Sequence, residues 1–244
     1  MNTPSKWRDL RRFTDARVAL GRAGNALPTA AHLDFQEAHA RARDAVWSSL
    51  DTAKLKAELS PIGLPIQRMT SQAEERRRFL LRPDLGRRLP EGIALPRAPG
   101  CVALVVADGL CASGVQQQAP ALLSVLVPAL NKAGFTPGPI IIAEQARVAL
   151  GDDVAEGMEA AAVVVLIGER PGLSATDSMG LYLTWAARRG TNDAMRNCIS
   201  NIRPGGLSAD VAAAKALWLL AEARKLGATG VALKDEMPNH YRLT

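Results

Sequence analysis

The chain has 244 residues, of which 48% are hydrophobic and 22% are charged, a composition that is typical of a soluble globular protein and excludes an intrinsically disordered one. Its apolar runs fall far short of the roughly 20 residues that span a bilayer, and its first residues lack the apolar core of a secretory signal, so we expect no transmembrane helix and a cytoplasmic location. The net charge of +6 arises within residues 1–100, where 18 Lys and Arg face 11 Asp and Glu, which is compatible with a solvated surface, an acidic protein partner or nucleic acid.

The N-terminal part of the chain is predicted to be mainly helical. Alanines, arginines and apolar side chains at near-helical spacing indicate one helix over residues 10–20 and another over residues 30–59, interrupted at Asp51. Prolines and glycines between residues 90 and 100 then indicate a domain boundary near residue 95. We therefore expect a helical N-terminal region over residues 1–95 and a second domain over residues 96–244.

The second domain alternates buried strands with helices. Four apolar runs predict strands over residues 102–107, 140–143, 162–167 and 181–185. Helices are predicted over residues 116–132 and 152–161, and from a Ser208 cap to residue 225, before a last apolar run at residues 231–233. Such alternation predicts an α/β fold, with a Rossmann-like, mostly parallel sheet preceded by the helical region.

Two polar turns follow predicted strands. Asp108-Gly109 comes directly after the first strand, and Gly168-Glu169-Arg170-Pro171-Gly172 follows a later one. The carboxyl ends of parallel strands lie at one edge of a sheet, where ligands bind, so we expect both turns on one rim. They either bind a ligand or simply make tight turns with helix-capping or arginine-paired acids. The chain has neither GxGxxG nor GxxxxGK[ST], which disfavours a dinucleotide site.

The titratable residues alone indicate no catalytic centre. Three cysteines and three histidines show neither CxxC pairs nor zinc-ligand spacing, so we expect neither disulfides nor structural zinc. Cys198 has no histidine near it in sequence and is interpreted on that basis as a buried structural thiol. Glu169 adjoins Arg170, which argues against a proton donor at neutral pH.

Arginine strings in the N-terminal part are the best nucleic-acid candidates. They are Arg76-Arg77-Arg78 and Arg87-Arg88, with Arg82 between them. Nucleic-acid recognition usually adds aromatic or base-reading side chains, and Phe79 is the only aromatic residue nearby. A solvated or protein-docking face is therefore the preferred interpretation.

Several further strings occur between about residue 8 and residue 233. They are Arg12-Phe13-Thr14-Asp15-Ala16-Arg17 through Gly21-Arg22-Ala23-Gly24, His39-Ala40-Arg41-Ala42-Arg43-Asp44, Arg82-Pro83-Asp84-Leu85-Gly86-Arg87-Arg88, Asp108-Gly109-Leu110, Gly168 to Leu173, and Cys198 to Ile202. Taken in this order, they resemble the small subunit, or light chain, of ethanolamine ammonia-lyase, a bacterial enzyme that uses adenosylcobalamin. Their common order is more specific than any one string.

The resemblance implies a helical N-terminal region joined to a Rossmann-like domain, and it implies a complex. In this family a large TIM-barrel subunit holds ethanolamine and the catalytic residues, and the complex releases acetaldehyde and ammonia by radical chemistry. The small subunit helps to hold adenosylcobalamin at the subunit interface. Family analogy further implies six large and six small subunits in the bacterial cytoplasm, with enclosure in a microcompartment left open, and no nucleic-acid or membrane partner.

The resemblance also places the cofactor contacts on three residues. They are Val148 within Ala146-Arg147-Val148, Glu169 within the Gly-Glu-Arg-Pro-Gly turn, and Cys198 at the start of Cys-Ile-Ser-Asn-Ile. No Asp-x-His-x-x-Gly string occurs, so the resemblance implies base-on cobalamin, which keeps its own benzimidazole below the cobalt. A stand-alone Rossmann-like nucleotide- or RNA-binding module remains the alternative, although the chain lacks a phosphate loop.

Overall fold

A computed structural model describes residues 7, 9–238, 241 and 243 of the chain; the first six residues, on which the expectation of no secretory signal partly rests, lie outside this part. Within the described residues the strands are β1 (Ile66–Thr70), β2 (Val102–Ala107), β3 (Pro137–Glu144), β4 (Ala162–Gly168), β5 (Met179–Trp185) and β6 (Asn197–Ile202). They form one sheet in the order β1-β3-β2-β4-β5-β6. Neighbours are parallel from β1 to β4 and antiparallel from β4 to β6. The predicted α/β fold with a mostly parallel sheet is confirmed.

The α-helices of the described residues are α1 (Thr29–Trp47), α2 (Thr52–Leu59), α3 (Arg76–Leu81), α4 (Ala112–Lys132), α5 (Leu150–Met158) and α6 (Ala209–Leu226). The predicted interruption at Asp51 is confirmed, because the Asp51 carboxylate accepts a hydrogen bond from the Lys54 N–H and so caps α2. The predicted Ser208 cap of α6 is confirmed as well, since its hydroxyl accepts from the Val211 N–H. Capping therefore fixes these two helix starts.

The sheet is covered on both faces, which explains why its central strands are continuous apolar runs. Along β2 alternate side chains point to opposite faces. Leu104 and Val106 pack with residues of α4 and α6, while Ala103 and Val105 pack with residues of α5. Every residue of β2 and β4 is buried, so these two strands form the centre of the core.

The topology creates a crevice beside the central strand β2. The chain leaves β2 through α4 to reach β3 on one side, and it leaves β3 through α5 to reach β4 on the other side of β2. This reversal between β2 and β4 is a topological switch point, where the loops after the two strands diverge and leave room for a ligand. The two polar turns predicted to share a rim follow these two strands.

Three elements differ from the sequence-based predictions. Residues 10–20 form only a short 3₁₀ turn at Leu10–Arg12 that buries no side chain, and an isolated amphipathic helix without a packing surface is not stable. Ile66–Thr70, in the region expected to be mainly helical, is strand β1, paired with β3. Strand β6 (Asn197–Ile202) has no counterpart among the predicted strands, and it pairs with β5 at the edge of the sheet. The division near residue 95 stays a prediction.

Candidate functional site

Two glycines let the turns after β2 and β4 meet. A Cβ on Gly109, whose φ is 55°, would lie 2.3 Å from the carbonyl oxygen of Gly168. A Cβ on Gly168 would lie 1.9 Å from the carbonyl oxygen of Cys111. The Leu110 N–H donates to the Gly168 carbonyl at 3.1 Å and closes the contact. The prediction that both turns share one rim of the sheet is confirmed.

The rim carries an open groove made of two adjoining depressions, which we call the rim groove. The first has a volume of about 410 Å³ and is lined by Gly109, Leu110, Arg147, Val148, Ile167, Gly168, Glu169, Arg170 and Tyr182. The second shares three of these residues and is lined by Arg87, Arg147, Val148, Ala149, Tyr182, Asp193, Arg196 and Cys198. The volume of the first depression falls within the range of small-molecule pockets.

The structure brings the three predicted contact residues to this groove. Val148 follows β3, is half-buried and lines both depressions. Glu169 follows β4 and lines the first depression, whereas Cys198 is the second residue of β6 and lines the second depression. Although 50 residues separate the first from the last in sequence, they lie along one continuous surface. Their role in cofactor binding stays a prediction.

The carboxylate of Glu169 is held in place by two donors. The Ser178 hydroxyl donates to it, and the Asn201 N–H approaches its oxygens at 3.2 and 3.3 Å. Gly180 leaves room beside it, because a Cβ there would lie 3.1 Å from Oε1. Two carboxylate oxygens can accept about four hydrogen bonds in all, so this fixed group keeps capacity to accept donors from a ligand.

Cys198 differs from its sequence-based interpretation. Its side chain is exposed on the edge strand β6, so the expectation of a buried structural thiol is wrong. The strand register places Tyr182 of β5 opposite it, so the two side chains lie on the same face of the sheet. Desolvation raises the pKa of the Tyr182 hydroxyl to about 12, with Cys198 as the next cause, and desolvation also raises the pKa of the Cys198 thiol. Both groups therefore stay protonated at neutral pH.

Tyr182 is a groove residue that the sequence analysis missed. Tyr182 lies in the middle of β5, a strand that was predicted correctly. Successive side chains along a strand point to opposite faces, so the position of Tyr182 within the strand decides whether its side chain faces the core or the groove. The half-buried position of Tyr182 between the buried Leu181 and Leu183 is the signal of this alternation. The antiparallel register then sets it beside Cys198.

Asp108 is a structural residue beneath the groove. Its side chain is 1% exposed and accepts hydrogen bonds from the N–H groups of Gln145 at 2.9 Å and Ala146 at 3.0 Å. Burial raises the pKa of this carboxyl to about 6, although these bonds and Arg76, 3.6 Å away, oppose the rise. Asp108 therefore ties the turn after β2 to the turn after β3 and thereby positions Arg147 and Val148.

Arg76 corrects the interpretation of the arginine string as a surface. Its side chain is only 9% exposed and donates at 2.7 Å to the carbonyls of Val46 and Gly109. Arg77 and Arg78 are exposed. The string therefore offers two surface cations rather than three, which weakens the case for a nucleic-acid face.

The described residues contain no helix that is both long and apolar enough to cross a bilayer. Among the same residues, no group of three or more His, Cys, Asp or Glu is placed to hold a metal ion.

Comparison with known proteins gives a consistent result. The family model for the ethanolamine ammonia-lyase light chain matches residues 4–234. A protein of Rhodopseudomonas palustris strain BisA53 is 51% identical over 236 residues, covering 94% of this chain and 90% of its own length. One of Azotobacter vinelandii strain DJ is 50% identical over 242 residues, covering 96% and 90%. Both relatives bear the name ethanolamine ammonia-lyase small subunit.

Proposed function

The chain belongs to the ethanolamine ammonia-lyase light-chain family, and from this we propose that it helps a large subunit to hold base-on adenosylcobalamin in a complex that converts ethanolamine to acetaldehyde and ammonia. The observation that supports the proposal most is the rim groove. It lies at the switch point of the sheet, and Val148, Glu169 and Cys198 all line it.

The groove suits one side of a cobalamin. The corrin periphery carries amide N–H donors, and Glu169 is a fixed acceptor with free capacity. Apolar surface from Val148, Leu110 and Ile167 can cover the macrocycle. Cobalamin is several times the size of a drug-like ligand, whereas the first depression measures about 410 Å³ and is open. This chain would therefore supply one wall, and the large subunit the rest.

The groove residues also fit the base-on form. No histidine is among the described residues that line the two depressions, which agrees with a cofactor that supplies its own lower ligand. When bound, the cofactor provides the adenosyl radical that starts the reaction. This chain's residues would bind and orient it: Glu169 accepts amide donors, and Tyr182 and Cys198 present neutral hydroxyl and thiol groups.

The N-terminal region supports a protein partner. Helix α1 buries a single residue, Ala38, yet it exposes Leu33 at 57% and Trp47 at 53%. Phe13, which precedes this helix, is 81% exposed. Large exposed apolar side chains concentrated in one region are typical of a protein interface. We assign this face to contact with the TIM-barrel large subunit; the six-plus-six stoichiometry and the cytoplasmic location, with or without a microcompartment, rest on the family resemblance.

The assembly proposal is tested by activity. This chain and the large chain from the neighbouring reading frame are each assayed alone and after co-expression, with ethanolamine and adenosylcobalamin, for acetaldehyde release. Activity in the co-expressed pair only is the expected result. A well-assembled pair without activity would overturn the proposal.

The role of Glu169 is tested by cofactor affinity. Glu169→Gln should weaken adenosylcobalamin binding to the co-expressed complex by roughly tenfold or more, because a charged acceptor is replaced by a neutral amide. Glu236→Gln is the matched control, since Glu236 is exposed and does not line the groove. If the two variants bind adenosylcobalamin with equal affinity, Glu169 does not contribute to cofactor binding.

A further inference from the structure

Two arginines of the rim groove have no anionic partner among the described residues. Arg147 and Arg170 both line the first depression. Within the described part of the chain, neither side chain is hydrogen-bonded or ion-paired, whereas other arginines, such as Arg196, bind carboxylates. The Nε of Arg147 is buried without a hydrogen-bond partner. A buried guanidinium N–H that lacks an acceptor is costly, so a ligand group that supplies one would be bound favourably.

Arg147 is also held in position. Its guanidinium lies 4.3 Å from the ring centroid of Phe79, and its backbone N–H donates to the Gly86 carbonyl at 2.8 Å. A Cβ on Gly86 would lie 3.1 Å from Cγ of Arg147, so the stem of the side chain is packed tightly. A guanidinium that is fixed before binding loses little conformational freedom when an anion arrives.

The charge around Arg147 is predominantly positive. Burial lowers the pKa of Arg147, and Arg76, Arg170 and Arg87 add to the decrease. The carboxylate that opposes them, Asp108, already accepts two backbone hydrogen bonds and faces Arg76. The arginine cluster therefore has an excess of positive charge at the groove, and guanidinium groups pair with phosphate through two parallel hydrogen bonds.

We propose that Arg147 and Arg170 form a phosphate-binding subsite for the nucleotide loop of the cofactor. The inference rests on the proposed function, because it takes cobalamin as the occupant of the groove. The amide side chains of a cobalamin are neutral, whereas the phosphodiester that joins its benzimidazole ribose to the corrin is anionic. That group is therefore the one that the two arginines would recognise, and Glu169 on the same groove would be left for the amides.

The experiment compares two corrinoids that differ by one phosphate. Dissociation constants of cobinamide and cobinamide phosphate are measured by equilibrium dialysis with the co-expressed complex. The wild-type complex should bind cobinamide phosphate about tenfold or more tightly than cobinamide. Arg147→Gln should reduce this ratio towards one while leaving the affinity for cobinamide unchanged. Arg170→Gln should reduce the ratio too and, because Arg170 is exposed, should not affect folding.

The matched control is Arg224→Gln. Arg224 also stacks on an aromatic ring, 4.1 Å from the Phe135 centroid, but it does not line the groove, so its loss should leave the ratio unchanged. A wild-type ratio near one, or a ratio that survives in both Arg147→Gln and Arg170→Gln, overturns the inference. Equal losses for both corrinoids would show that the arginines act through packing or a carboxylate of the large subunit, which also overturns it. A wild-type complex that binds neither corrinoid overturns the inference as well; adenosylcobalamin is dialysed in parallel, and only its failure to bind would refute the proposed function.

Discussion

Gly168 should be the least replaceable residue of the rim. In Gly168→Ala the new methyl group would lie 1.9 Å from the Cys111 carbonyl oxygen and 2.5 Å from that of Asp108, and neither backbone atom can rotate away. Overpacking of this kind costs about 1–3 kcal/mol. Separation of the turns also breaks the Leu110–Gly168 hydrogen bond of 3.1 Å, which is worth about 1 kcal/mol. The free energy of unfolding should therefore fall by about 2–4 kcal/mol.

Gly172 in the same turn is the matched control. A Cβ there meets only the Ala175 backbone, at 3.6 Å, which is ordinary contact, so Gly172→Ala should be close to neutral. Unfolding of the small chain within the co-expressed complex is followed by pulse proteolysis across a urea series. Hydrogen exchange at the ends of β2 and β4 reports whether the turns have separated. Equal urea midpoints for the two variants, with unchanged exchange, would refute the argument from close approach.

Two further predictions concern buried carboxylates. The pKa of Asp108 is raised from 3.8 to about 6, so the folded chain binds more protons than the unfolded chain between these pH values. The free energy of unfolding should therefore fall by up to about 3 kcal/mol as pH rises from 4 to above 6. Asp108→Asn should abolish this pH dependence of the urea midpoint, and a variant that keeps it would contradict the assignment to Asp108. Asp152→Asn should lower the free energy of unfolding by roughly 1–3 kcal/mol, because the buried Arg196 loses the carboxylate that it binds at 2.6 and 2.8 Å and keeps that of Asp193, at 3.0 Å. Glu159→Gln at the exposed Arg97 pair is its near-neutral control in the same assay, and similar losses would refute the distinction.

The central strands of the sheet could be predicted from the sequence because each is buried along its whole length. Val102–Ala107 and the run at 162–167 are apolar at every position, which a strand covered on both faces requires. The turns that follow such strands meet at one edge in a parallel sheet. The shared rim of Asp108 and Glu169 therefore followed from pattern and topology alone, before any contact was known.

The edge strands β1 and β6 could not be predicted in this way. β1 buries only Met69 fully, and β6 buries only Ile199 and Ile202, so neither shows a continuous apolar run. Their backbones are stabilised by pairing with β3 and β5. β1 and β3 are more than 60 residues apart in sequence, beyond the range of a local pattern. Cys198 was misjudged for the same reason, since its exposure follows from the edge position of β6.

Arg76 shows most directly why part of the site needs three dimensions. A run of three arginines predicts a solvated surface, because burying an isolated charge in an apolar interior costs too much free energy. Here the cost is offset by Asp108 and by the carbonyls of Val46 and Gly109, and Phe79 packs under the guanidinium at 4.9 Å. The same contacts join the end of α1 to the turn after β2, next to the rim groove. One arginine of a run that predicts a solvated surface is thus the residue that links the N-terminal region to the groove, and no segment shorter than residues 46–109 contains both carbonyls that it binds.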